Sequence, residues 1–225
     1  MIHPRIFLMP GFEIEIIYSF IIIVSSLMIY FKTKELYNLT THKGIKYFRD
    51  AFLFFAVAFF IRFIIFFLLT LFEASRIFEF NPRLLGSVSS TFFIYTSTMA
   101  IVYLLYSMIW EKWDKNSKKI GWIHIGIALV SAIGVAIQST LILLILQCLV
   151  ISVASLIAYR RYIQSGKKKG VKSNLTIYIL LFIFWVLNTI GTLTPDFFST
   201  SKIIIYLVSI GTFLSIFYAV IKRTG

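Results

Sequence analysis

Arg62 is the residue whose type and position most strongly suggest chemistry in this chain. It stands in the middle of an apolar run over residues 51–72, and a charge at the centre of a bilayer costs about 2.5–3.5 kcal/mol on insertion scales. Such a residue faces a bundle interior or a water-filled cavity. Two interpretations stay open: a tether to carbonyls, hydroxyls or an aromatic face, and a contact for the anion or carboxylate of a ligand. We favour the second.

The helix around Arg62 has two kinds of surface. Ala51 and Ala58 lie on the same side as the arginine at helical spacing, and the rest of the run is dense in phenylalanine. Small residues are typical of the face on which membrane helices pack together. We therefore expect the arginine stripe to face other helices and the phenylalanines to face mostly lipid.

Three further side chains complete a candidate ligand-binding site. Tyr95 belongs to a hydroxyl-rich stripe of the third apolar run, and Trp185 and Asn188 share a face of the sixth. Residues three or four apart lie on one side of a helix, and polar groups inside a membrane turn toward the bundle interior. The predicted site is Arg62, Tyr95, Trp185 and Asn188, although each hydroxyl taken singly is more typical of interhelical hydrogen bonding.

The acidic residues lie near the ends of the apolar runs. Glu13 and Glu15 begin the first run, Glu73 ends the second, and Asp196 follows the sixth. An ion pair with Arg62 therefore requires a short first helix or a water-filled outer vestibule. The lack of a deep carboxylate also argues against a proton-relay pump, because such relays use chains of carboxylates and histidines within the membrane.

Residue types that support catalysis or metal binding are sparse. The histidines are scattered, Cys148 stands alone in an apolar run, and no His/Cys/carboxylate cluster has metal-ligand spacing. Intramembrane enzymes need nucleophile–base pairs, metal triads or paired carboxylates at depth. The sequence therefore predicts no enzyme, no catalytic residue, no metal and no cofactor.

The composition indicates that most of the chain is surrounded by the lipid bilayer. The 225 residues are 59% hydrophobic and only 14% charged, whereas a soluble domain has about 25% charged residues. No water-soluble fold of this size could bury so much apolar surface. The composition excludes a soluble enzyme, a disordered linker and a disulfide-stapled secreted module, and it predicts an integral membrane protein.

The apolar runs predict an all-α, polytopic fold with seven transmembrane helices. Runs near 20 residues without alternation are helices. Residues 120–159 contain no charge, and as one helix they would reach about 60 Å, twice the hydrocarbon core. They must fold back, and Gly134 with the polar residues Gln138, Ser139 and Thr140 marks the best place for the turn. The predicted spans of this single domain, residues 1–225, are 12–31, 51–72, 87–110, 120–137, 140–159, 175–194 and 203–221.

The basic residues predict the orientation. Of 22 Lys and Arg, 17 fall after the first, third and fifth helices or at the C-terminus, and 4 fall on the other side. Cytoplasmic loops carry the excess of Lys and Arg. We therefore expect an external N-terminus and a cytoplasmic C-terminus in a multi-pass protein of the cell membrane. The net charge of +13 follows from this asymmetry and does not indicate nucleic acid.

The basic loops also suggest partners. Anionic lipid headgroups are expected to bind them, since clustered Lys and Arg beside a membrane attract acidic lipids. A cytoplasmic signalling partner could dock on the same loops. The remaining predicted partners are the bilayer itself and a small anionic ligand at Arg62.

Two halves of the chain resemble each other. Residues 24–32 match 153–161, and 43–46 match 169–172 through a shared Lys-Gly-X-Lys pattern. With the glycines aligned, Arg62 falls opposite Asn188. Apolar helices also resemble one another by composition alone. A true match would make helices one to three and five to seven parallel repeats around a linker helix, with a site between the halves near the midplane.

This three-plus-one-plus-three arrangement resembles SWEET-type sugar carriers and rhodopsin-like seven-helix proteins. It departs from them in two respects. SWEET-type carriers place prolines within their spans, whereas the four prolines here lie at or outside helix ends. Microbial rhodopsins bind retinal through a lysine in the middle of helix seven, where this chain has only Lys202 and Lys222 at the two ends. We therefore expect no covalent retinal.

Two functions agree with this pattern. The first is a seven-helix sensor or receptor-like protein that binds a ligand at a polar midplane site around Arg62. The alternative is a small-solute transporter of SWEET-like layout. A carrier should show helix breaks at corresponding places of both halves, and only glycines such as Gly191 and Gly211 offer weak ones. This favours the sensor.

Overall fold

The computed structural model describes residues 12–75, 82–113, 118–166, 169–194 and 199–224. These residues form seven α-helices: α1 (Phe12–Thr40), α2 (Lys43–Ser75), α3 (Pro82–Trp113), α4 (Lys118–Ala136), α5 (Thr140–Gln164), α6 (Lys169–Leu193) and α7 (Ser199–Thr224). Five of them, α1, α3, α5, α6 and α7, are long and apolar enough to cross a membrane, and α4 has a shorter apolar stretch over Ile120–Ala136. The chain is thus an all-helical, membrane-embedded protein.

The connection predicted after the first span is mostly helical. α1 runs on to Thr40 and α2 begins at Lys43. Thr41 turns the chain with a φ of +51°, and its N–H donates to the Tyr37 carbonyl at 2.7 Å. A span ends where the apolar residues end, but the helix continues because lysine, glutamate and leucine favour helix. The basic residues of this segment therefore lie on helix ends.

The predicted fold-back between α4 and α5 is confirmed. Residues 137–139 form the turn, in which Gln138 has a φ of +56° and the Ser139 N–H donates to the Gly134 carbonyl at 2.8 Å. Gly134 itself lies within α4. A Cβ there would come within 2.4 Å of Leu143 Cδ1, so this glycine allows α5 to approach α4 closely.

Six helices pack in a ring. α1 contacts α2 and α7, α2 contacts α3, α3 contacts α5, α5 contacts α6, and α6 contacts α7. The remaining helix, α4, lies outside the ring against α3 and α5. This order brings α1, α2, α6 and α7 together around the polar residues that the sequence identifies.

The ring interior is aromatic, which corrects in part the expected direction of the phenylalanines on α2. Ala51 and Ala58 are buried and Phe60 and Phe67 are exposed, as predicted, but Phe52, Phe55 and Phe59 are fully buried. They contact α6 and α7: Phe55 lies 5.8 Å from Trp185, and Phe52 lies 6.4 Å from Phe213 between ring centroids. α2 packs between α1 and α3 and faces α6 and α7 across the interior. Lipid-embedded helices associate through van der Waals packing, to which large aromatic side chains contribute most.

Candidate functional site

Arg62 forms an ion pair with Glu15. Its Nε and Nη2 donate to the same carboxylate oxygen, Oε1, at 3.0 and 2.5 Å. The Arg62 side chain is 16% exposed and that of Glu15 only 6%. Buried charges need such pairing, because the cost of desolvation is offset only by close geometry and hydrogen bonds. The expectation that no carboxylate lies at the depth of Arg62 was wrong.

The register of α1 against α2 explains this pairing. The rings of Tyr18 and Phe59 pack edge to face at 5.6 Å. Glu15 lies three residues before Tyr18 and Arg62 three residues after Phe59, and because the two helices are antiparallel both steps go in the same direction. α2 then continues 13 residues past Arg62 to Ser75, roughly 20 Å of helix. The first turn of α1 is therefore level with the interior of α2. An estimate of membrane depth from the position of a residue within its own helix does not include this axial offset between α1 and α2.

Tyr18 and Tyr206 surround the guanidinium group. Arg62 Nη2 also donates to the Tyr206 hydroxyl at 3.0 Å. The two tyrosine rings stack with centroids 4.9 Å apart, and the guanidinium carbon lies 5.8 Å from each centroid. Arginine thus meets a carboxylate, a hydroxyl and aromatic faces at once, which are the partners that stabilise a desolvated cation.

Asn188 joins this cluster through Tyr18. The Tyr18 hydroxyl donates to Asn188 Oδ1 at 2.6 Å, and Asn188 Nδ2 donates to the Phe184 carbonyl at 3.0 Å. Both side chains are buried. Arg62 and Asn188, which the alignment of the two Lys-Gly-X-Lys segments places opposite each other, therefore lie on either side of one tyrosine.

The other two predicted site residues have different surroundings. Trp185 is 1% exposed among the aromatic residues of the interior, and its Nε1 has no hydrogen-bond partner in the described part of the chain. Tyr95 turns toward α4: its hydroxyl shares a hydrogen bond of 2.8 Å with His124 Nδ1. The structure therefore does not bring Tyr95 to Arg62.

Sequence reasoning missed Glu15, Tyr18 and Tyr206 as members of the cluster. A signal was present for the first two, because Glu15 and Tyr18 lie three residues apart and so share a face of α1. Their relation to Arg62 depends on the register between helices, which the periodicity of one helix does not contain.

A cavity of about 290 Å³ opens beside the ion pair. Its wall carries three charged side chains, Glu15, Arg62 and Lys202, together with hydroxyls. The hydroxyls belong to Ser89, Ser90, Thr192 and Tyr206. The rest of the lining is apolar and consists of Ile65, Phe93, Ile94, Leu144 and Gly191. The guanidinium, the ammonium and the hydroxyls are hydrogen-bond donors set among apolar groups, and this combination suits a small organic anion.

Metal-ligating side chains do not cluster in the described part of this site. Within the described ranges, no three His, Cys, Asp or Glu side chains come together as a metal site requires. The groups around Arg62 are a carboxylate and a hydroxyl, and they accept hydrogen bonds from the guanidinium.

Comparison with known proteins adds a full-length relative. An uncharacterized protein of Archaeoglobus fulgidus is 29% identical over 230 residues, and the alignment covers 99% of this chain and 98% of that protein. No family model matches the chain, and no solved structure matches it. The likeness spans both proteins from end to end and carries no functional assignment. The resemblance to SWEET-type carriers and rhodopsin-like proteins stays a prediction.

Proposed function

We propose that this protein is a seven-helix membrane sensor that binds a small organic anion in the cavity at Arg62. The observation that carries the proposal is the Arg62–Glu15 ion pair in the wall of that cavity. A guanidinium has five N–H donors, more than the contacts to Glu15 and Tyr206 use. An incoming carboxylate or phosphate can therefore share Arg62 with Glu15 or displace it.

The ion pair lies where three helices meet, so its rearrangement can be transmitted. Glu15 belongs to α1, Arg62 to α2 and Tyr206 to α7. A ligand that takes over hydrogen bonds from Glu15 changes how these helices are held together. The ligand changes the equilibrium between two helix arrangements only to the extent that it binds one of them more tightly than the other. The far ends of the same helices carry the basic segments on which a cytoplasmic signalling partner would dock.

The alternative is a small-solute carrier. It is supported by the packing order: α1 to α3 follow one another around the ring, α5 to α7 do the same, and α4 lies outside. The two Lys-Gly-X-Lys segments begin α2 and α6 at the same residue of the pattern. Parallel repeats of this kind place a substrate site between the halves, which is where Arg62 and Asn188 lie.

For either function we propose that all seven helices cross the membrane, with the N-terminus outside. Trypsin should cut the basic segment 167–169 in inverted vesicles and leave it intact in whole cells, because this segment is part of the cytoplasmic excess of Lys and Arg. Lys167 and Lys168 lie outside the described residues. Mass spectrometry of the fragments is the measurement, and cleavage from outside would reverse the orientation.

Ligand-dependent stabilisation tests the site. In detergent, a panel of carboxylates and organic phosphates should contain compounds that raise the melting temperature of the wild type. Arg62→Lys should remain folded and lose most of this shift, because a lysine ammonium cannot replace a planar fork that binds two acceptors. Asn188→Leu should lose less, since Asn188 acts through Tyr18.

Arg49→Lys on the same helix is the matched control. Arg49 is paired with Asp50 at 2.7 Å and is similarly buried, at 14% exposure, but it does not line the cavity. Its ligand shift should equal that of the wild type. Equal shifts in Arg62→Lys and wild type would contradict the proposed site. Uptake of a stabilising compound into proteoliposomes would contradict the sensor function and support the carrier function.

A further inference from the structure

A second pocket, of about 260 Å³, lies at the opposite end of the bundle from Arg62. It is enclosed by the ends of α1, α3, α5 and α7 and by the beginnings of α2 and α6. Thr33 of α1 lines it, 18 residues beyond Glu15, which corresponds to about 27 Å along the helix. The pocket is therefore separate from the proposed anion site and stands level with the basic helix ends.

Two arginines line this pocket. Arg161 lies in the last turn of α5 and Arg223 in the last turn of α7. Arg161 Nη2 donates a short hydrogen bond to the Met108 carbonyl, which fixes the guanidinium against the end of α3. Glu111 also lines the pocket. Among the described lining residues, the two guanidinium groups thus outnumber the one carboxylate.

Two helix beginnings border the pocket. Gly44 and Ile45 belong to the first turn of α2, and Val171 and Asn174 lie in the first two turns of α6. The Ile45 N–H is already bonded to the His42 carbonyl at 3.0 Å, and Asn174, the sixth residue of α6, lies beyond the unpaired first turn. The positive ends of the two helix dipoles therefore add to the attraction of negative charge, and the two guanidinium groups supply the hydrogen bonds.

Gly44 allows the pocket wall to form. A Cβ at this position would lie 2.8 Å from Trp110 Nε1 and 3.0 Å from the Ser107 carbonyl oxygen. Only glycine lets the start of α2 come this close to the end of α3. The indole of Trp110 packs edge to face on the His42 ring at 5.0 Å. Amphipathic aromatic rings of this kind are typical of the headgroup level of a bilayer.

The hydroxyl of Tyr178 is already satisfied. It donates to the Leu104 carbonyl at 3.2 Å and shares a hydrogen bond of 2.7 Å with Ser107. It therefore serves to hold α6 against α3. Recognition of an anion is left to Arg161, Arg223 and the helix beginnings.

We infer that this pocket binds the phosphate of an anionic phospholipid headgroup. Arginine forks match phosphate oxygens in charge and geometry. Basic pockets between transmembrane helices on the positively charged side bind acidic headgroups. The helix ends place the site at the membrane surface, where a lipid phosphate is present at high local concentration and a soluble phosphate is not.

Binding of phosphatidylglycerol should therefore depend on these two arginines. The protein in nanodiscs of phosphatidylcholine is titrated with spin-labelled phosphatidylglycerol, and the immobilised fraction is measured by electron paramagnetic resonance. Arg223→Gln and Arg161→Gln should each weaken binding roughly tenfold, the loss of one charge-assisted contact. Arg223 anchors no other helix through a hydrogen bond in the described part of the chain, so its variant tests binding without a change in folding.

The neighbouring residues supply matched controls. Arg160→Gln and Lys222→Gln remove the same charge one position away, and neither residue lines the pocket. Their affinities should equal that of the wild type. Equal losses in control and pocket variants would show a diffuse surface charge effect and overturn the inference. Competition by inorganic phosphate as strong as by the lipid would assign the pocket to a soluble anion instead.

Discussion

Arg62→Leu is expected to lower the free energy of unfolding by about 3–5 kcal/mol, because it leaves one buried charge without its partner. The carboxylate concerned is Glu15, whose side chain is 6% exposed and accepts both hydrogen bonds from Arg62. The measurement is unfolding in mixed micelles of increasing denaturing detergent, followed by far-UV circular dichroism.

The double variant Arg62→Leu/Glu15→Leu is the control for this loss. It removes both charges, and replacing a buried ion pair by apolar residues is often neutral or stabilising. Most of the stability should therefore return. A double variant as unstable as the single one would show that Arg62 acts mainly through Tyr206 and the tyrosine faces. Because Arg62→Leu alone weakens the fold, Arg62→Lys is the variant suited to ligand binding.

Trp185→Ala is expected to cost about 3–5 kcal/mol, the range for truncating a large buried aromatic residue. Trp185 is 1% exposed and packs on Phe55 of α2 across the interior of the helix bundle. In lipid there is no hydrophobic driving force between helices, so van der Waals contact carries their association. A cavity at this position removes such contacts between α6 and α2.

Trp122→Ala is the matched control, since Trp122 is 72% exposed on α4. It should cost less than about 1 kcal/mol, the range for exposed substitutions away from special features. The same detergent unfolding assay serves both variants. Equal losses in the two would contradict the packing of α6 against α2. Trp185→Phe separates ring packing from the indole N–H, which has no partner among the described residues, and should keep most of the stability.

Local sequence patterns determined the class of this protein. The apolar runs predicted a membrane-embedded helical chain, and the charge-free stretch of residues 120–159 required the fold-back that the structure shows at residues 137–139. These features follow from bilayer thickness and helix rise, which act on each segment by itself. Arg62 and Asn188 could be assigned to the interior for the same reason, because a polar group at mid-span avoids lipid.

Only the tertiary structure decided which residues meet. Glu15 lies at the start of its helix, yet it pairs with Arg62 because α1 and α2 are staggered. Tyr95 lies on a polar stripe, yet its partner is His124 of α4. Both outcomes depend on the axial offset and rotation of one helix against another, which the packing of many side chains sets together. The hydrophobic periodicity of a single helix contains neither the offset nor the rotation. The sequence therefore identified the buried arginine, and only the tertiary structure identified the carboxylate that pairs with it.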